Sequence, residues 1–115
     1  MASRQLILAL VATDSTFQRA TVHGHAMWRG RCVHCRTPLA VALDGEPIGD
    51  VTIEHIVPRS HGGADDLDNL ALSCGPCNHA KGRREDRLRR TDPALVAMIE
   101  RLQAERRRRW RPPPE

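Results

Sequence analysis

Large aromatic rings are nearly missing from this chain. Tyrosine is absent, Phe17 is the single phenylalanine, and Trp28 and Trp110 complete the aromatic set of its 115 residues. Such rings normally supply much of a small domain's buried area, so a thick aromatic core is excluded and another staple has to hold the fold. Long apolar runs are missing too. The run from Leu6 to Ala12 falls far short of the ~20 residues that cross a bilayer, which argues against a membrane span. Arg4 is the only charge before it, and the basic stretch and small-residue cleavage site of a secretory leader are not seen. The expected setting is cytoplasmic and reducing, with no membrane partner.

Charge is present but segregated. Residues 1–80 carry six Arg/Lys against eight Asp/Glu, whereas residues 81–111 carry twelve against five. The net charge of +4 therefore hides a cationic C-terminal third on a near-neutral body, a pattern that suits a polyanion, nucleic acid first. A solvated basic face with no ligand is the plain alternative. The arginine run at 106–109 is expected to attract the phosphate backbone rather than read bases, since nothing marks a rigid recognition helix.

The four cysteines offer the staple. They fall as C-V-H-C (Cys32, Cys35) and C-G-P-C (Cys74, Cys77), with 38 residues between the pairs. In a reducing setting, two such hooks predict a tetrahedral four-thiolate zinc site, closed and therefore structural. Two disulfides are disfavoured by the expected compartment, and a redox motif by the matching second hook. With four thiolates in place, His34 inside the first hook is expected to have an ordinary surface role, like His23 and His25.

Patterning gives a coarse map. The mixed-period run LILALVAT, then QRATV and AMWRG flanking a His23-Gly24 turn, predicts a β-rich extension over 1–31 with a hairpin in it. PLAVAL (38–43) reads as a strand, 44–50 as a turn, Val51 to His55 as a β-branched strand, 58–68 as a long loop, and Leu70 to Leu72 as a short strand. A helix should start at Gly75-Pro76 and run to about residue 90, weakened at Gly82. A second follows Asp92-Pro93, with Leu95, Met98, Ile99 and Leu102 on one face of a basic segment over 91–111. The tail RRRRWRPPPE, which ends in residues 112–115 beyond that segment, cannot continue a helix through three prolines and is expected to fray.

Glu54 and His55 stand at the end of the β-branched strand, just before Pro58 and Gly62-Gly63. Phosphodiester hydrolysis needs a base for the attacking water and a cation on the phosphate, held in fixed geometry. An imidazole is a base near neutral pH, and a carboxylate with an amide oxygen makes a sparse seat for a hard divalent ion. Cys77 and Asn78 lie about 100° apart around a helix axis, so one turn can face the zinc with Cys77 and the other site with Asn78.

The stretch TIEHIVPRSHGGADDLDNLALSCGPCNHAKG, residues 52–82, resembles the ββα-metal core of HNH endonucleases (His-Me finger nucleases) of the kind with a CxxC...CxxC zinc site. The resemblance covers about residues 32–90 and implies an α+β, zinc-stapled domain with a C-terminal helix. It implies His55 as general base, Glu54 and Asn78 as catalytic-metal ligands, and Asn69 as the residue that ties the loop down and holds His55. With an Asn where the family has its last His or an Asn, few imidazoles meet the metal, which favours Mg2+ or Mn2+. DNA is the implied substrate, leaving 5′-phosphate and 3′-hydroxyl ends, with His61, His79, Lys81, Arg83, Arg84 and Arg87 as phosphate contacts by charge and proximity. A protein partner in phage packaging or restriction machinery would fit such a nuclease. The competing reading is a zinc-ribbon binding or adaptor module that does not cleave.

Overall fold

The computed structural model describes residues 2–114; Met1 and Glu115 lie outside it. The chain is α+β, with two antiparallel sheets and helices at both ends and in the middle. Helix α1 (Ala2–Ala12) leads into strands β1 (Gln18–Val22), β2 (His25–Arg31), β3 (Pro38–Ala42) and β4 (Pro47–Ile48), hydrogen-bonded in that order as one sheet. The second sheet pairs β5 (Val51–His55) with β6 (Leu70–Cys74), and helix α2 (Gly75–Arg83) follows directly. These three elements are the ββα unit. Helix α3 (Pro93–Arg109) closes the chain. Among the described residues no helix is long and apolar enough to cross a membrane.

The β-rich expectation over 1–31 needs correction at its start, where Ala2–Ala12 is helical. Leu6, Ile7, Leu10 and Val11 form a stripe at helical spacing, and the last three are buried with Leu39, Val41, Leu70 and Leu72. The run is rich in strong helix formers, and a stretch apolar on nearly every side hides its own period. The hairpin expectation does match β1 and β2, which are joined by His23 and Gly24 at φ 51° and 79°. Two positive φ values in a two-residue turn give the twist that paired strands need.

Helix α2 ends at Arg83, short of the expected 90, just past Gly82, and gives way to a tight turn at Glu85–Arg87. Its N-cap is Cys74, one residue before the expected Gly75. Helix α3 starts as expected, with Asp92 Oδ1 accepting from the Ala94 amide at 2.9 Å. Its buried stripe, Leu95, Ile99 and Leu102, continues without a break into Arg106 and Arg109.

That continuation overturns two expectations. Arg106 and Arg109 are 2% and 1% exposed and face inward, so the 106–109 run is not a uniform phosphate-attracting arm; Arg107 and Arg108 alone are exposed. Arg106 donates to Leu70 O, Leu67 O, Thr13 O and Thr13 Oγ1 at 2.8–3.1 Å. Arg109 donates to Arg31 O (2.7 Å) and Cys32 O (3.0 Å), gripping the backbone that enters the first cysteine hook. Nor does the chain fray after α3: Trp110 bridges Asp14, and Arg111 donates to the carbonyls of Val11, Ala12 and Phe17. Planar, always-charged guanidinium groups saturate several carbonyls at once, which lets a chain poor in rings tie its two ends together.

Candidate active site and zinc centre

The two hooks meet in space. The four Sγ atoms of Cys32, Cys35, Cys74 and Cys77 lie within 4.8 Å of one another, with Cys32–Cys74 at 3.8 Å and Cys35–Cys74 at 3.9 Å. A regular tetrahedron around zinc at ~2.3 Å from each sulfur has edges of ~3.8 Å. The donor set and spacing therefore fit zinc. Backbone amides of His34 and Cys74 donate to Cys32 Sγ at 3.4 and 3.3 Å, the outer hydrogen bonds that orient a thiolate. Burial pushes the Cys74 and Cys77 thiols up, while the Thr37 amide draws Cys35 down. A dication supplies the charge that ionised, buried sulfurs require.

On the ββα unit, antiparallel pairing sets His55 opposite Leu70 and Glu54 opposite Ala71. Side chains alternate along a strand, and the two neighbours part accordingly. His55 is partly open, its side chain 21% exposed. Its Nε2 is 2.7 Å from Asp65 Oδ1. Arg59 approaches the same pair, its Nε at 3.2 Å from His55 Nε2 and its Nη2 at 3.4 Å from Asp65 Oδ1. The His55 bond first, then Arg59, holds the Asp65 carboxyl below its usual range.

Glu54 turns inward and is 1% exposed. Both its oxygens lie 2.7–2.8 Å from His34 Nε2, with Lys81 Nζ at 3.8 Å. His34 is thus not a surface residue; its side chain is 8% exposed, and Arg101 approaches its Nδ1 at 3.3 Å. Spacing inside a CxxC hook carries no signal of this partnership, which only the docking of the hook against β5 creates.

Asn69 spends its amide on the loop. Its Oδ1 accepts from Val57 N at 2.9 Å, and its Nδ2 donates to Val57 O and Ala64 O at 3.1 and 2.8 Å. It does not touch the His55 ring. The loop turns at Gly62, φ 83°, and a side chain at Gly63 would collide with the Val57 carbonyl, so both glycines are required by the backbone path.

Helix α2 presents Cys77 to the zinc centre and Asn78 to a cleft of about 390 Å3 lined also by Thr52, Gly75, His79, Gly82 and Arg83. Asn78 Nδ2 donates to Thr52 Oγ1 (3.1 Å) and Ile53 O (3.4 Å). That leaves its Oδ1 without a partner among the described residues. Lys81 is no phosphate contact. It is 2% exposed, and its ammonium donates to His55 O at 3.0 Å and Asp86 Oδ1 at 2.8 Å, pinning the end of β5 from beneath. His61 likewise turns inward, 3.1 Å from Asp86 O. His79, Arg83, Arg84 and Arg87 are exposed.

Among known families, the model for HNH endonucleases matches residues 32–84. Residues 32–84 are similar to an HNH domain. The match runs from the first cysteine hook to the end of α2, so the zinc centre and the ββα unit both fall inside it. No curated protein and no solved structure matches the chain. The cysteines form the one close group of three or more His, Cys, Asp or Glu donors among the described residues. A second cation would rest on Glu54, Asn78 and the substrate. Asn78 Oδ1 fits such an ion as a hard oxygen on an open cleft, whereas Glu54, as placed, gives its oxygens to His34.

Proposed function

We propose that this chain hydrolyses DNA phosphodiester bonds, with His55 as general base, leaving 5′-phosphate and 3′-hydroxyl ends. The observation that carries this reading is the His55 ring, standing open at the end of β5 with one nitrogen held by a carboxylate, inside the segment similar to an HNH domain. Asn69 ties the 57–64 loop to the strand end, and Lys81 fixes the His55 carbonyl, so backbone on both sides of the base is immobilised before substrate arrives. Asn78 and Glu54 would hold Mg2+ or Mn2+, Glu54 by exchanging its bond to His34. The ion would neutralise charge on the phosphate and the departing oxygen. His79 and Arg83 line the Asn78 cleft and, with the exposed Arg84 and Arg87, serve as phosphate contacts.

A second reading is favoured by one observation, the burial of Glu54: the module binds nucleic acid, or adapts a larger assembly, without cleaving. Cleavage of supercoiled plasmid separates the two. Zinc-loaded protein should nick or linearise the plasmid in Mg2+ or Mn2+, and His55→Ala should abolish this while retaining zinc and the plasmid gel shift. Retention without cleavage in any divalent metal would establish the binding module instead.

A further inference from the structure

The partner of His55 is a carboxylate, and that settles which ring nitrogen is available. A carboxylate can only accept, so Nε2, 2.7 Å from Asp65 Oδ1, carries the proton between them. A guanidinium can only donate and cannot bond a nitrogen that is itself donating. The longer Arg59 approach to Nε2, 3.2 Å, therefore resolves onto Asp65 Oδ1, its other neighbour. Nδ1 is left with the lone pair and makes no hydrogen bond among the described residues. Independently, Asn69 Nδ2 holds the carbonyl of Ala64, the residue just before Asp65, at 2.8 Å. The loop tie thus reaches the His55 ring through Asp65.

We propose that Asp65 is a positioning residue: it fixes the His55 ring with Nε2 protonated, making Nδ1 the nitrogen that takes the proton of the attacking water. The inference rests on the nuclease reading above. As the water oxygen bonds to phosphorus, its proton passes to Nδ1, and the 3′-oxygen leaves with the electrons of the broken P–O bond and is protonated by solvent. The ring, now cationic, faces the Asp65 carboxylate, which is a better neighbour for that charge than for the starting state. His55 then returns its proton to water.

The test uses zinc-loaded full-length protein with Asp65→Ala and Asp65→Glu. In Asp65→Ala, kcat should fall about tenfold, below the ~10²–10⁴ a general base contributes in all. KM should not rise, because an anion has been removed from the DNA face. Asp65→Glu should recover most of kcat, which a loop-packing role would not produce. Nitrogen-15 spectra give a readout free of activity: wild type should show a hydrogen-bonded His55 Nε2–H, lost in Asp65→Ala and present in Asp65→Glu. A wild-type ring protonated at Nδ1 alone, or unchanged kcat in Asp65→Ala, would overturn the proposal. A wild-type protein that shows the Nε2–H signal but does not cleave would overturn the nuclease reading and leave the contact standing.

Discussion

Replacing Arg109 by Ala should cost the fold far more than replacing Arg107, two residues away. Arg109 is 1% exposed. Its guanidinium donates to Arg31 O at 2.7 Å, Cys32 O at 3.0 Å and Glu105 Oε2 at 2.7 Å, and lies 3.5 Å from Asp14 Oδ2. Glu105 keeps Arg108, while Asp14 keeps the Thr16 amide and hydroxyl on Oδ1 but loses the cation beside Oδ2. The Arg31 carbonyl at the mouth of the zinc hook is stranded, whereas Cys32 O keeps the Arg36 amide at 3.1 Å. Each unsatisfied buried acceptor costs about 1–3 kcal/mol, and loss of one partner of a buried ion pair adds to it. Together these give about 3–5 kcal/mol, a large share of a small domain's stability. With a urea slope of about 2 kcal/mol per M, the unfolding midpoint of zinc-loaded protein should drop by roughly 2 M in Arg109→Ala. Arg107→Ala should move it by less than about 0.5 M. Equal midpoints would refute the reading of α3 as a buried clamp and return its arginines to the surface. The same reasoning makes removal of residues 104–115 a folding defect, not a simple loss of DNA affinity.

Chelating the zinc, or Cys32→Ser, should collapse the far-ultraviolet dichroism of the domain, and a folded metal-free protein would remove zinc as the staple. Glu105 is held down to about 2, against an ordinary value near 4.5, by Arg108 first and then Arg109. The unfolded chain therefore binds more protons between those values, and the Glu105 contribution is whole above pH 4.5 and lost as pH falls toward 2; Glu105→Gln should flatten denaturant stability across that window. Changing Arg83, Arg84 and Arg87 together to Ala should reduce the slope of log affinity against log salt by up to about 2.7, at about 0.9 per phosphate contact, measured by fluorescence anisotropy on duplex DNA. Lys81→Met should instead lower the unfolding midpoint, since it strands Asp86 and the His55 carbonyl, while leaving that slope unchanged.

Features set by local chemistry were legible in the sequence. The hooks, the β-branched run into Glu54-His55, the Asp92 cap and the His23-Gly24 turn depend on residues a few positions apart, where spacing and backbone preference act directly. What escaped depends on which distant surface each residue meets. An arginine at 106 looks the same as one at 107 until helical phase continues the Leu95, Ile99, Leu102 stripe through it, placing 106 and 109 inside. Lys81 follows the same rule: three residues after Asn78 it faces β5, and its charge is consumed by Asp86. His34 and Asp65 needed the tertiary fold itself, since their partners Glu54 and His55 lie 20 and 10 residues away. Helix α1 was hidden because uniform hydrophobicity removes the periodic contrast on which the distinction rests.

One short helix carries the zinc, the cleft and the support of the base. Cys77 completes the thiolate set, Asn78 borders the cleft, and Lys81 reaches Glu54 and the His55 carbonyl. Release of zinc must therefore displace all three at once, because consecutive turns of a helix move as a rigid body. It follows that loss of cleavage in a cysteine variant says nothing about mechanism: the base, its carbonyl anchor and Asn78 have moved with the metal. Loop variants whose bonds stay with β5 and the loop are free of this coupling, as at Asp65, which meets His55 and Arg59. Asp65 is the most discriminating of them. It is exposed and removable without a cavity, yet it touches the ring whose chemistry is at issue, so a kcat change there reports on His55 rather than on folding.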